Sequence, residues 1–118
     1  MRQYTTSEQT SKLIELGFEK PKSVLLYAQS VDCDNNYGWK GEAKYNCNYS
    51  IGELIKICPL RITGEYGIWY YVTVYAYLTY WRVAYADDND IPLIDSEAEE
   101  LIDSLFNMIV KLKEEGVI

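Results

Sequence analysis

Histidine is absent from this 118-residue chain. Histidine is the side chain most often used as a general base near neutral pH, and it is the commonest metal ligand. Its absence excludes histidine-dependent triads and every zinc site that needs an imidazole. A large share of enzyme mechanisms is therefore excluded for this protein. The sequence leaves open whether it is an enzyme, but the absence of histidine argues against it.

Cysteine and long apolar runs are also scarce. Cys33, Cys47 and Cys58 are odd in number and irregular in spacing, with no C-x-x-C pair. The first residues contain no apolar signal region, and no apolar run approaches the length of a membrane span. We therefore expect reduced thiols in a cytoplasmic protein, with no metal site, no cofactor and no membrane association.

Positive charge is sparse and unevenly placed. The net charge is −7, and residues 87–118 hold two lysines against ten acidic residues, whereas residues 1–86 are close to balance. An acidic chain gains no counterion release on nucleic acid, so the composition argues against ordinary DNA or RNA binding. A basic partner is compatible with this charge, although a solvated acidic face that maintains solubility is the simpler interpretation.

Aromatic residues are abundant, and they concentrate in residues 67–86. Tyrosine alone occurs twelve times, and β-branched and aromatic side chains favour strands. We predict a β-hairpin with strands over 67–75 and 79–86. Alternation places one group of side chains on the face that suits a core, namely Val72, Val74, Trp81 and Val83. A register slip by one residue would exchange the two faces.

Three S/T-x-x-E patterns predict helix starts by the capping-box rule. They begin at Thr5, Ser50 and Ser96, and they predict helices over 5–16, 50–58 and 96–115. The last has a wide apolar stripe of Leu101, Ile102, Leu105, Phe106, Ile109 and Leu112. We predict one α+β domain over 1–118: a small antiparallel sheet built on the aromatic hairpin, two amphipathic helices on one face and a short helix at one end.

The remaining segments give weaker signals. Residues 23–30 favour a short helix, and residues 31–49 predict a long loop whose Tyr37 and Trp39 are candidate contact residues. The oxygen-rich run at 32–38 resembles a calcium loop, but it lacks the bidentate Glu at the twelfth position, where Ala43 stands. The acidic run at 87–90 is interpreted as a solvated connection before a helix.

The order of these features resembles small uncharacterised proteins encoded in prophages and mobile elements of gut bacteria. The resemblance rests on residues 4–9 with 12–17, on 49–59, on the strand ending at 81–85, and on 100–113. It covers most of the chain, and its helix signatures are the distinctive part. It implies a cytoplasmic accessory protein of a phage or mobile element, and it transfers no activity and no catalytic residue.

The second face of the hairpin is the candidate functional surface. If the alternation holds, one aromatic set cannot all point inward, and exposed tyrosine and tryptophan on a rigid sheet suit contact with another protein. The competing interpretation is that a third strand or the 31–49 loop covers this face. The candidate residues are Trp69, Tyr71, Tyr75, Tyr77, Tyr80 and Arg82. We predict a non-enzymatic module that binds a protein partner or forms a homodimer. The alternatives are a nucleic-acid-directed protein, acting by base stacking or as an acidic DNA mimic, and a small enzyme.

Overall fold

A computed structural model describes residues 1–21 and 48–118. The chain divides into two compact units, one of Gln3–Glu53 and one of Met1–Arg2 with Leu54–Ile118. The elements are α1 (Ser7–Glu15), α2 (Ile51–Ile57), β1 (Arg61–Thr63), β2 (Trp69–Ala76), β3 (Trp81–Ala86), β4 (Pro92–Ala98) and α3 (Leu101–Glu114). The predicted α+β class is confirmed. The predictions for 23–30, and those for 31–49 up to residue 47, lie outside the described residues.

Helix α1 begins one residue later than the first capping pattern predicts. Thr6 is its N-cap, and Thr6 and Gln9 each accept a hydrogen bond from the backbone N–H of the other. The predicted Thr5 cap is wrong because the Thr5 hydroxyl forms hydrogen bonds with Tyr49 and Thr10 instead. It accepts the Tyr49 N–H at 3.0 Å and contacts the Thr10 hydroxyl at 2.7 Å, in a buried network.

The end of α1 follows the sequence closely. Gly17 has a φ of +103°, and its N–H donates to the Ile14 carbonyl while the Phe18 N–H donates to that of Leu13. These two bonds form the Schellman motif, which requires a left-handed residue at the position of Gly17. At α2 the predicted capping box is confirmed, because Ser50 and Glu53 exchange backbone-to-side-chain hydrogen bonds of 3.0 and 3.1 Å.

The sheet is an antiparallel meander in the order β1-β2-β3-β4. Val74 pairs with Val83 and Val72 with Tyr85, so the predicted alternation in β2 and β3 is confirmed. The β2–β3 loop covers residues 77–80, and the Tyr77 N–H donates to the Tyr80 carbonyl at 2.9 Å. The hairpin therefore has the register in which the two predicted faces stay intact.

The segment 92–98 is strand β4, and the predicted helix start at Ser96 is wrong. Ser96 pairs with Val83 and Ala98 with Trp81, so small side chains point to the same side as the apolar residues of β3. The alternating acidic residues, Asp95 and Glu97, point to the other side. A strand pattern therefore overrides the local capping pattern because an adjacent strand is present to pair with it.

Helix α3 packs on β3 and β4 and completes the core of its unit. All but one residue of its predicted stripe are buried, namely Leu101, Ile102, Leu105, Ile109 and Leu112, and Phe106 is partly exposed. Met108, outside that stripe, is also buried. The Ser104 hydroxyl donates to the Ser96 carbonyl at 2.8 Å and joins the helix to β4. Because the helix lies over β3 and β4, Val83 and Tyr85 are buried, whereas Val74 on β2 stays 42% exposed.

Candidate functional site

The face of the sheet opposite α3, called the outer face here, gathers aromatic and charged side chains. Buried Val83, Tyr85 and Ser96 point toward the helix, so the residues that alternate with them point away. Cross-strand pairing places Tyr71 beside Arg61, Tyr75 beside Arg82, and Arg82 beside Glu97. The outer face therefore carries Arg61, Trp69, Tyr71, Tyr75, Arg82, Asp95 and Glu97.

Three tyrosines stack where β2 turns into β3, at the hairpin end (residues 75–80). The ring centroids of Tyr75 and Tyr77 are 6.2 Å apart, and those of Tyr77 and Tyr80 are 4.6 Å apart with an interplanar angle of 16°. Leu78, between them in sequence, is fully exposed. Because stacking already restricts the rotamers of these rings, they lose little conformational entropy on binding. This end therefore presents a preorganised apolar surface.

Arg82 is held in place on the outer face. Its Nε donates to Asp95 at 3.0 Å, Glu97 lies at 4.0 Å, and the guanidinium carbon is 5.2 Å from the Tyr75 ring centroid. The hydrogen bond to Asp95 raises the pKa of Arg82, and the Tyr77 hydroxyl acts in the same direction. The arginine thus links the tyrosine stack to the acidic residues of β4.

A cleft lies at the opposite end of the outer face, called the turn end here. There the β1–β2 turn (residues 64–68) and the β3–β4 loop (residues 87–91) lie side by side, because the start of β2 pairs with the end of β3. The cleft has a volume of about 360 Å³ and is lined by Ile68, Trp69, Tyr71, Asp87, Asp88 and Asn89. Beside it, the Arg61 guanidinium stacks 3.7 Å from the Trp69 ring centroid.

The loop that supplies the acidic wall of this cleft is fixed by one of its own carboxylates. Asp87 Oδ1 accepts the backbone N–H groups of Asn89 and Ile91, both at 2.9 Å. The Asp87 N–H donates to the Ile91 carbonyl at 3.1 Å, and Asp90 has a left-handed φ of 63°. The acidic run is thus an exposed connection, but it leads into β4 instead of the predicted helix, and its ordered turn forms one side of a cleft.

The structure brings the six predicted surface residues to one side of the sheet. Trp69, Tyr71 and Tyr77 are 42–43% exposed, and Tyr75, Tyr80 and Arg82 are partly exposed. The loop candidates Tyr37 and Trp39 lie outside the described residues. Sequence reasoning missed Arg61, Asp87 and Asp88, because only the pairing of β1 with β2 and of β2 with β3 places them beside Trp69.

Chemistry by cysteine finds no support in the described part of the chain. Cys58 is a free thiol that is almost fully buried, and burial raises its pKa to about 11, although a hydrogen bond with Tyr85 opposes the rise. A thiol in that range is protonated at neutral pH and is a poor nucleophile. Residues 1–21 and 48–118 contain no cluster of three or more Cys, Asp or Glu that could hold a metal ion.

The same described ranges contain no helix whose length and apolarity would let it cross a membrane. Comparison with known proteins found no matching family model, no matching curated protein and no matching solved structure.

Proposed function

We propose that this protein is a non-enzymatic interaction module that binds a protein partner, or a second copy of itself, through the outer face. The observation that carries the proposal is the stack of Tyr75, Tyr77 and Tyr80 beside the fully exposed Leu78. Exposed apolar side chains that stand singly are normal on proteins, but a contiguous aromatic patch is rare on a monomer. Tyrosine is also among the residues enriched at binding hot spots.

The proposal extends to a setting. The resemblance to prophage and mobile-element proteins favours an accessory role for a phage or element in a bacterial cytoplasm. The free and buried Cys58 thiol agrees with a reducing compartment.

The nucleic-acid alternative has less support. Base stacking on an aromatic sheet works together with cations that contact the phosphates. The two arginines of the outer face are engaged, Arg82 with Asp95 and Arg61 with the Trp69 ring. A gel-shift titration with single- and double-stranded DNA tests this alternative directly, and binding that Tyr77→Ala weakens would favour it over a protein partner.

The test of the proposed function is a double substitution, Tyr77→Ser with Leu78→Ser. Both side chains lie in an exposed loop, so we expect an unchanged fold and a loss of association of at least about tenfold, as for a hot-spot pair. Sedimentation velocity over a concentration series measures self-association. Quantitative affinity capture from the native host, followed by binding assays on the purified partner, measures partner binding.

Leu60→Ser is the matched control. Leu60 is 78% exposed and precedes β1, outside the tyrosine stack, so its substitution removes a similar apolar area elsewhere on the same unit. Association that falls equally in both variants would point to general surface apolarity. A wild-type protein that stays monomeric, and has no partner sensitive to the double substitution, would overturn the proposal.

A further inference from the structure

The cleft at the turn end combines two kinds of group that recognise the same ligand chemistry. Trp69 and Tyr71 contribute aromatic rings, and Asp87 and Asp88 contribute carboxylates. The quadrupole of an aromatic ring attracts cations to its face. Carboxylates attract cations by charge and accept their N–H groups in strong hydrogen bonds. A flat cation that carries several N–H donors satisfies both requirements.

Arg61 shows that Trp69 accepts such a cation. Its guanidinium lies 3.7 Å from the ring centroid, in a stacked position. Within the described ranges Arg61 forms no ion pair, so stacking on the indole is what positions it. The same ring lines the cleft, and a planar ring has two faces on which a cation can stack.

Asp88 is the carboxylate with most capacity left for a ligand. Asp87 uses Oδ1 to hold the loop through Asn89 and Ile91. Asp88 is exposed and accepts no hydrogen bond from residues 1–21 or 48–118. Asp87 therefore stabilises the loop, whereas Asp88 lies at the rim of the cleft, beside Trp69 and Tyr71, with its carboxylate available to a ligand.

We propose that this cleft binds an arginine side chain presented by the protein partner. The inference rests on the proposed function, because it names the chemistry of that partner. Arginine fits better than lysine because its planar guanidinium stacks on rings and donates N–H groups within its plane. A volume of about 360 Å³ suits a single side chain together with its flanking backbone, and the net charge of −7 favours a basic partner.

The surroundings of the cleft suit a docked segment. Tyr66, in the adjacent turn, is 93% exposed, and Ile68 at the cleft wall is 42% exposed. Tyr66 also holds a left-handed φ of 61°, a conformation that tyrosine rarely adopts. A partner segment that inserts an arginine would therefore meet apolar surface at the β1–β2 turn, across the cleft from the acidic β3–β4 loop.

The test uses acetylated, amidated tetra-arginine as the probe and full-length protein labelled with ¹⁵N. We expect saturable shifts in NMR spectra at the Trp69 indole N–H and the Asn89 backbone N–H. The matched peptide with citrulline in place of arginine has the same shape without the charge, and we expect no saturable shift with it. Shifts that centre on α3, or none at all, would overturn the inference.

Two substitutions distinguish specific binding in the cleft from general attraction of the peptide to the negative charge of the protein. Asp88→Asn should weaken tetra-arginine binding about two- to fivefold, the range for one exposed cation contact. Asp90→Asn removes the same charge from the same loop, but Asp90 does not line the cleft, and asparagine tolerates a left-handed φ. We expect little change with Asp90→Asn. Equal weakening by both variants would refute a specific site.

The failure of this inference can be told apart from the failure of the proposed function. A purified partner that needs Tyr77 and Leu78 but is indifferent to Asp88→Asn would leave the interface standing and overturn the arginine site. Tetra-arginine binding that depends on Asp88, in a protein with no partner sensitive to Tyr77→Ser and Leu78→Ser, would overturn the proposed interface instead.

Discussion

Cys58 illustrates how burial decides the chemistry of a single residue. From the sequence it is one of three cysteines that we expect to be reduced thiols. In the structure it is 3% exposed and lies against the Tyr85 hydroxyl, which donates to the Pro59 carbonyl at 2.7 Å. Burial also raises the pKa of Tyr85, so this corner of the core favours neutral side chains.

The raised pKa of Cys58 predicts a loss of stability at alkaline pH. The ordinary value is 9.0 and the folded value about 11, so between these pH values only the unfolded chain gives up the thiol proton. The free energy of unfolding therefore falls as pH rises, by on the order of 1 kcal/mol per pH unit from this one group. Urea unfolding at pH 8, 9, 10 and 11 measures the slope.

Cys58→Ala supplies the comparison for that slope. The variant has lower stability at every pH because it loses buried volume, but its stability should fall less steeply between pH 9 and 11. Tyr49, whose pKa burial also raises, titrates in both proteins and cancels. Burial raises the pKa of Tyr85 and Cys58 raises it further, so the substitution also reduces the contribution of Tyr85 to the slope, in the same direction as the loss of the thiol. Parallel slopes for the two proteins would mean that the Cys58 thiol does not titrate as burial implies.

Among the elements, the β1–β2 turn shows a conflict between local preference and fold. Tyr66 and Gly67 have φ values of 61° and 73°, and the Ile68 N–H donates to the Glu65 carbonyl at 3.3 Å. Two successive left-handed residues define the type I′ turn that suits the twist of a hairpin. Glycine adopts this conformation readily, whereas tyrosine does so at a cost.

We predict that Tyr66→Asn stabilises the protein by about 0.5–1 kcal/mol, because asparagine tolerates the left-handed region. Thermal or urea unfolding measures the change. Tyr66→Ala is the control, since it removes the same side chain but keeps the conformational cost, and it should give no gain. A Tyr66→Asn variant less stable than the wild type would show that the exposed ring contributes packing.

The helix starts show why sequence patterns alone predict some element boundaries correctly and others wrongly. Three capping patterns look equivalent in the sequence, yet only Ser50 with Glu53 forms its box. The hydroxyl of Thr5 serves a buried network, and Ser96 is taken into β4 by pairing with Val83. A capping pattern describes a local option, and residues distant in sequence decide whether it is used.

At the scale of the whole molecule, β3 is the centre of the structured sheet. It pairs with β2 on one side and β4 on the other, and Val83, Ala84, Tyr85 and Ala86 are all buried. β1, in contrast, is a three-residue strand at the edge of the sheet. Stability within the sheet should therefore be graded from β3 outward.

Native-state hydrogen exchange tests this gradient. We expect the slowest amides of the sheet within 83–86, and exchange faster by at least about tenfold at 61–63 and in the loop at 77–80, because edges and loops open without global unfolding. NMR spectra collected over days in D₂O provide the rates, with intrinsic exchange subtracted for each residue. Equal protection of β1 and β3 would contradict the gradient.

Much of this protein was determined by local sequence. The alternation in 69–76 and 81–86, the apolar stripe of α3 and the left-handed Gly17 each depend on residues within a few positions of one another. The placement of Val72, Val74, Trp81 and Val83 on one face followed from that alternation, although only Val83 of the four is buried. The α+β class followed from the order of the elements. Such features need no knowledge of distant partners.

The tertiary structure decided what the residues of the outer face can do together. Strand β4 exists because β3 is available to pair with it, and Val74 is exposed because α3 covers β3 and β4. The cleft at the turn end joins Trp69 to Asp88, 19 positions apart, through strand register that no local period encodes. Register depends on many weak cross-strand contacts summed over the sheet, so the sequence offered an aromatic surface and only folding placed carboxylates beside it.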